Sequence, residues 1–420
     1  MKKVLRNFAA LFAVLLTLVY VMPSFAIGTA DYNEHDVQKL RAFFEQADAN
    51  GVKNGNKLFD NYNADDPATW VGQAQLEPEW NNMQDMIRWT DDGRLLSLVI
   101  TNRELCGNLD LADCSSLLYV NCWSNSIESL DLGGCTSIRY IKAQNNLIES
   151  IDIDGVTLLW DVELAYNKLV SIDLHPGECL VATLGLEHNE LTEIDISEQS
   201  ELTSFYCGYN RLTSLRIPEE CRELQTVWCS NNLLTEIEIG NPNIGELDCS
   251  NNLFASLDLS DIPLNYLDCR GCPLTELHTW FYDTQLNLYS AGHGTVSMLL
   301  VDRFGPGTSI RAFASPDPGY ELDAWYDADG NRAFYYEEAE LYSDNMQSIA
   351  LTAVFEAGAA LPGDVNNDGF VNANDALLVL RSALGLAPAL GSEADVTGDG
   401  FVNANDALLI LRAALGLAEL

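Results

Sequence analysis

Through the middle of the chain, apolar positions recur with a period far longer than that of a helix or a strand. Anchored on Asn125, Asn146, Asn167, Asn189, Asn210, Asn232 and Asn252, the spacings are 21, 21, 22, 21, 22 and 20 residues. Two residues after each Asn stands Ile127, Ile148, Leu169, Leu191, Leu212, Leu234 or Phe254, and five after it Leu130, Ile151, Ile172, Ile194, Leu215, Ile237 or Leu257. Three before it comes Cys122, Ala143, Leu164, Leu186, Cys207, Cys229 or Cys249. One such unit cannot bury its apolar face alone, so successive units must stack as the coils of a solenoid around a shared core. An inward-turned Asn amide can pair backbone groups at the bend that would otherwise be buried unpaired. Cysteine at the inward position is a small apolar filler, and core thiols are expected there rather than disulfides. Arg103 and Cys272 occupy the Asn place in the flanking copies, as suits end coils with one neighbour.

Other periods flank the repeat. In "EHDVQKLRAFFEQADANG", Val37, Leu40, Phe43 and Phe44 share one helical face ahead of Gly51, which predicts an amphipathic helix with a C-terminal stop. Past residue 280 the long period ends. From about residue 294, short alternating segments separated by Gly, Pro and Asp predict a small all-β module, read here as a spacer.

The last sixty residues hold one sentence twice: "GDVNNDGFVNANDALLVLRSALGL" from Gly363 and "ADVTGDGFVNANDALLILRAALGL" from Ala394. Counted from Asp364, oxygen-bearing side chains fall at positions one, three, five, nine and twelve: Asp364, Asn366, Asp368, Asn372 and Asp375, with Gly369 at six. The second set is Asp395, Thr397, Asp399, Asn403 and Asp406, with Gly400 at six. Calcium needs six to eight oxygens and a sharp turn to gather them, and Phe370 and Phe401 at position seven would each add a backbone carbonyl. Two Ca²⁺ ions are therefore expected, the second held less tightly or through water because Thr397 is a weaker oxygen donor than Asn. Asn372 and Asn403 can also cap the helices that follow. No helix enters either loop, since "GAALPGDV" and "GLAPALGSEADV" carry Gly and Pro instead.

The repeat in "LYVNCWSNSI", "VELAYNKL", "VWCSNNLL" and "LDCSNNLF" resembles the leucine-rich repeat family. The stretch "ASPDPGYELDAWYDADGN" with "LTAVFE" resembles small β-rich domains beside internalin-type bacterial surface repeats. The doubled loop and exit helix, spaced by 31 residues, resembles the type I dockerin. Together these imply a multidomain chain: signal peptide 1–26, amino-terminal cap 27–93, α/β leucine-rich repeat solenoid 94–280, linker and small all-β module 281–360, and an all-α dockerin with two EF-hand-like calcium loops at 361–420. The dockerin resemblance implies binding to a cohesin module of a scaffoldin, and so membership of a cellulosome. It places cohesin recognition on Ala373, Asn374, Leu380 and Arg381, and on Ala404, Asn405, Leu411 and Arg412. Ala-Asn stands where the family often has Ser-Thr. Because both copies carry the same pairs, docking in two orientations is implied.

Charge and candidate chemistry narrow the function. Lys2, Lys3 and Arg6 precede an apolar run over residues 8–22 and the small-x-small site Ser24-Phe25-Ala26, the pattern of an export signal, so a secreted chain is expected. No later run reaches the roughly 20 apolar residues of a membrane span. With 22 basic against 62 acidic residues and a net charge of −40, nucleic acid and anionic lipid are excluded as partners. Positions alternating with the inward ones should face out on the concave sheet, where Tyr119, Trp123, Tyr140, Tyr166, Tyr206, Tyr209, Trp228 and Tyr266 gather with the acids Asp161, Glu163, Glu187, Glu246, Asp248 and Asp268. Tyr206 and Trp228 share a column and are expected to form a ring platform for a protein or a glycan. The five His lack zinc spacing and there is no nucleophile elbow, so no catalytic residue is assigned. An enzyme reading, a cellulosomal glycoside hydrolase, would rest on Asp248 and Asp268 as a carboxylate pair. An adhesin or inhibitor aimed at another protein is the remaining alternative.

Overall fold

The amphipathic segment predicted ahead of the repeat forms helix α1 (Glu34–Phe44), with Asn33 accepting from the Asp36 amide at 3.2 Å as its N-cap. Val37, Leu40, Phe43 and Phe44 are buried, and the Phe44 ring meets those of Phe59 and Trp70 edge-on. A short helix α2 (Asn54–Leu58) completes the cap. The structure, a computed structural model, describes residues 32–71, 86–174, 181–197, 199–281, 284–301, 309–342, 348–357, 361–366, 368, 370–391, 394–418 and 420. The expected signal peptide, Cys179 and Gly369 lie outside them. The chain divides into two compact units, Met1–Leu212 with Arg216–Leu224, and Thr213–Leu215 with Gln225–Leu420.

In the first unit, β1 (Ile87–Trp89) pairs antiparallel with β2 (Leu95–Val99), which opens the sheet. The coils then add a convex strand β3 (Cys106–Asp110), β4 (Tyr119–Asn121), convex β5 (Ser126–Asp131), β6 (Tyr140–Lys142), convex β7 (Ser150–Asp152), β8 (Asp161–Glu163), β9 (Thr183–Gly185) and β10 (Ser204–Tyr206). The concave strands run parallel in the order β2-β4-β6-β8-β9-β10, and the convex ones in the order β3-β5-β7. The cap closes the open edge of β3. Gln46 exchanges side-chain bonds with the amide and carbonyl of Asn108, both at 2.7 Å, and Asn54 donates to the Cys106 carbonyl at 2.9 Å.

After β11 (Ser214–Ile217), the second unit alternates β12 (Thr226–Trp228), β13 (Glu236–Ile239), β14 (Glu246–Asp248), β15 (Ser256–Pro263), β16 (Tyr266–Asp268) and β17 (Glu276–Phe281). Seven strands follow: β18 (Thr284–Ser290), β19 (Gly294–Val301), β20 (Ser309–Pro316), β21 (Tyr320–Tyr326), β22 (Arg332–Phe334), β23 (Glu338–Tyr342) and β24 (Ser348–Ala357). The segment read from sequence as a linker and separate module is bonded strand to strand onto the last coil. β19 pairs antiparallel with β16 and continues through β20 to β23, while β18 pairs with β17 and continues through β24 and β21 to β22. Each face of the final coil is thereby extended, and Trp325 is fully buried between these strands, its indole donating to the Tyr336 carbonyl.

The expected α/β solenoid is corrected. Among the described residues from 86 to 357 there is no α-helix, and both faces of the coils are built from strands and extended segments. A coil of 20 to 22 residues that holds two bends and a concave strand has little chain left for a helix. Its convex segments also alternate, as in "SIESLD", with period two rather than 3.6.

The core follows the predicted ladder. Ile127, Ile148, Leu169, Leu191, Leu212, Leu234 and Phe254 are all fully buried. Ten cysteines are described, all with free thiols, and only Cys106 is not buried. At the end of the chain, α3 (Ala373–Ala383) and α4 (Ala404–Ala414) pack together around Ala376, Val379, Ala394, Ala407 and Ile410.

Candidate functional site

Each inward Asn fastens two coils. The Asn167 oxygen accepts from the Ile148 amide at 3.0 Å, and its nitrogen donates to the Ala143 and Leu164 carbonyls at 2.9 Å each. Asn146, Asn189 and Asn210 repeat the scheme. The residue before each Asn takes the left-handed conformation that the bend requires: Asn145, Asn231 and Asn251 on some coils, but Tyr166 (φ 58°), His188 (φ 54°) and Tyr209 (φ 55°) on three successive ones. A left-handed residue other than glycine costs about 1 to 2 kcal/mol, and asparagine bears it best.

These three rings stack face to face, Tyr166 on His188 and His188 on Tyr209, each at 4.0 Å between centroids. Tyr166 and Tyr209 are half exposed, at 52% and 50%. Sequence alternation placed both tyrosines on the strands; they stand at the bend beyond them. It passed over His188, whose only signal is the repeat position it shares with the two tyrosines. Tyr140, Tyr206 and Tyr266 are partly exposed on their concave strands, Trp123 lies just past β4, and Trp228 is exposed. Tyr119 is corrected: at 4% exposure it is covered, packed edge-on against Tyr140 with its hydroxyl accepting from Asn121, and burial pushes its phenol up to about 12. Tyr206 and Trp228 belong to different units, each described by itself.

The acids separate into two groups. Asp248 and Asp268 are register partners on β14 and β16. Asp268 is nonetheless buried and gripped at both oxygens by Arg270, at 3.0 and 2.7 Å, while Asp248 holds the Ser250 hydroxyl at 2.6 Å. On β8 and beyond β9, Glu163 and Glu187 are raised, both chiefly by burial, and Glu187 reaches about 7.

In the tail, Asp364, Asp368 and Asp375 offer carboxylate oxygens all within 4.8 Å of one another. Backbone amides draw the first loop round them, Asp368 N to Asp364 at 3.1 Å and Val365 N to Asp375 at 3.1 Å. The second loop closes alike, with Asp399 N and Gly400 N on Asp395 and Thr397 N on Asp406. Asn372 and Asn403 cap α3 and α4 in full capping boxes with Asp375 and Asp406. Their oxygens are thereby committed to the Asn374 and Asn405 amides at 2.8 Å. The donor set is hard and oxygen-only, the chemistry that calcium requires.

On the helices, Ala373, Asn374, Leu380 and Arg381 and their counterparts Ala404, Asn405, Leu411 and Arg412 are all exposed. So are the leucine pairs Leu377 and Leu408, and Leu384 and Leu415, at nearly matched exposures of 52% and 55%, and 63% and 65%. Residues 362–414 match the family model described as dockerin type I domain.

The tail is a type I dockerin domain. Type I dockerin domains are known calcium binders, and a dockerin implies a cohesin partner. No curated protein matches the chain in sequence. Among solved structures it is similar to the functional domain of InlJ from Listeria monocytogenes, which includes a cysteine ladder. That match has 16% identity and a TM-score of 0.38 over 64% of this chain and 68% of that one. It is also similar to YopM from Yersinia enterocolitica WA-314, at 19% identity and a TM-score of 0.34 over 43% of this chain and 44% of that one. Likenesses so distant carry nothing about what the solenoid of this dockerin-bearing chain binds. No helix among the described residues is long and apolar enough to cross a membrane.

Proposed function

We propose that this is a secreted, non-catalytic cellulosomal subunit, tethered to a scaffoldin cohesin by a calcium-loaded dockerin, whose concave solenoid face captures a protein or a glycan. The observation that carries the reading is the convergence of Asp364, Asp368 and Asp375 in a loop whose exit helix leaves its leucines exposed. In the first loop Asp364, Asn366, Asp368, Asp375 and the Phe370 carbonyl would hold one ion; in the second Asp395, Thr397, Asp399, Asp406 and the Phe401 carbonyl would hold another. Asn372 and Asn403, committed as caps, would contribute through water. The bound ions neutralise crowded carboxylates and so supply folding energy to a module with a small core.

The exposed faces around Ala373 to Arg381 and Ala404 to Arg412 are the cohesin-binding surfaces in this reading. The enzyme alternative loses its pair, because Arg270 ties up Asp268. The test is capture of the full chain by immobilised type I cohesin with Ca²⁺ and with EDTA, alongside far-UV circular dichroism. Chelation should abolish capture and remove the helical signal of α3 and α4 while the strand signal persists. Capture that survives EDTA, or release of reducing sugar from plant polysaccharide, would overturn the reading.

A further inference from the structure

In the second unit, the convex strand of the last coil, β17, is followed by an antiparallel partner, β18, rather than by the bend of another coil. Leu277 and Thr279 are buried, so Glu276 and His278 share the outer face of this sheet. In the coils before it, the sixth residue after the inward Asn is an acid at Asp131, Asp152, Asp173, Asp195, Glu238 and Asp258, Arg216 apart. An acid there fastens the bend that follows, as Asp258 does by accepting from the Ser260 amide at 3.0 Å. The final coil has no such bend to fasten, and His278 stands in that place.

The imidazole is gripped at both nitrogens. Nε2 lies 2.8 Å from Glu276 Oε1 on the same strand, and Nδ1 lies 2.7 Å from Oδ1 of Asn287, the register partner of His278 on β18. Asp258 is its register partner on β15, and the Tyr289 ring meets it edge-on at 5.6 Å between centroids. Asp258, Glu276, Asn287 and Tyr289 are thus the groups that face the ring from β15, β17 and β18. Among the described residues no lysine or arginine pairs with any of the four. An ionised carboxylate only accepts, so Nε2 carries a proton; an amide oxygen on the other side asks Nδ1 to carry one too, which is the imidazolium form. His278 is accordingly held above its ordinary range, most by the Asn287 bond and then by Glu276, with burial opposing them.

We propose that His278 is a proton-operated clasp on the seam between β17 and β18, which in its doubly protonated form ties the all-β extension to the last coil through Glu276 and Asn287, and which loosens when the Nδ1 proton leaves. Glu276 retains the Nε2 proton, so Nδ1 is the one that gives its proton to solvent. Its lone pair then meets the Asn287 oxygen, acceptor against acceptor, and the amide must turn over or the bond is lost. Because the folded chain holds this proton more tightly than the unfolded one, the clasp is complete below the ordinary imidazole value of about 6.5 and is lost as pH rises through the higher folded value. The ring is 26% exposed, so the contribution is that of a partly screened pair. It falls on the seam of six register pairs by which β18 covers the edge of β17.

The test follows the full chain, loaded with calcium, by proton NMR of the imidazole Cε1–H signals, the His278 signal being the one missing from His278→Gln. It should titrate above the ordinary midpoint of about 6.5, and that midpoint should move down in Glu276→Gln and in Asp258→Asn. Amide hydrogen exchange across residues 284–290, read by mass spectrometry, should be about threefold slower in the parent than in His278→Gln at pH 5.5, the scale of a partly exposed ion pair, and equal in the two at pH 9. A midpoint at or below the ordinary one would overturn the proposal. So would a parent-to-variant exchange ratio that is the same at both pH values, which would mark His278 as a packing residue with no proton-dependent hold on the seam.

Discussion

A single asparagine amide closes each bend of the coil, and its three bonds join backbone from two turns. Replacing Asn167 with alanine leaves the Ile148 amide without a partner in the core and takes one of two donors from each of the Ala143 and Leu164 carbonyls, which keep those of Asn146 and Asn189. The expected loss is about 1 to 3 kcal/mol, read by urea unfolding of the solenoid. Cys272 shows how far the role can be stretched: its thiol donates to the Cys249 carbonyl at 3.3 Å, the carbonyl an asparagine would use, but accepts at 3.4 Å from the amide of Asn252, two residues earlier than in the asparagine scheme. This ladder was legible because spacing alone exposes it. The stack of Tyr166, His188 and Tyr209 was not, since strand alternation says nothing about a left-handed bend and His188 has no metal spacing to draw notice. Glu187 was legible as a concave acid, but not as a carboxyl group lifted by burial to about 7. An unfolded glutamate titrates near 4.3. Between those values the unfolded chain releases a proton that the folded chain keeps, so stability falls as pH rises through that window and stays lower above it. Glu187→Gln should therefore raise the melting temperature at pH 8 and leave it unchanged at pH 4. An equal effect at both would show that Glu187 is not held protonated.

At the scale of elements, the sequence was clearest where local rules are strict. α1 was visible from four apolar residues on one face, and α3 and α4 from a capping Asn followed three residues later by Asp, which the structure turns into full capping boxes. The convex strands were missed because the family resemblance carries an expectation of helix, against which the period-two segments of β5 and β7 offered only short runs. The two calcium loops differ in one element of their closure. Asn366 offers its amide oxygen to the Asp368 backbone, whereas the Thr397 hydroxyl is spent on Asp406 at 2.7 Å. A hydroxyl that donates to one carboxylate brings a single weaker oxygen to an ion. Thr397→Asn should therefore tighten the weaker of two calcium affinities by several-fold and leave the stronger unchanged, as two-site calorimetry would resolve. Identical isotherms for the parent and the variant would mean that position three does not set the difference.

For the whole molecule the governing problem is the open sheet edge, because a stack of coils ends in unpaired backbone at each extremity and such edges recruit other chains. At the amino-terminal end Gln46 and Asn54 supply the missing partners from the cap. At the carboxy-terminal end of the stack the all-β segment does so by pairing: β19 takes the free edge of β16 and β18 that of β17, in registers of three and six residue pairs. A spacer joined by a linker would be dispensable to the solenoid, and a paired extension is not. Ending the chain at residue 281 bares both edges together with Leu267 and Leu277, which are now fully buried. The truncated protein should self-associate at micromolar concentration, measured by light scattering after size exclusion, whereas removal of residues 361–420 alone should leave a monomer. A monomeric, cooperatively melting truncation at 281 would show that the final coil protects its own edges, and that the all-β segment serves only to hold the dockerin at a distance.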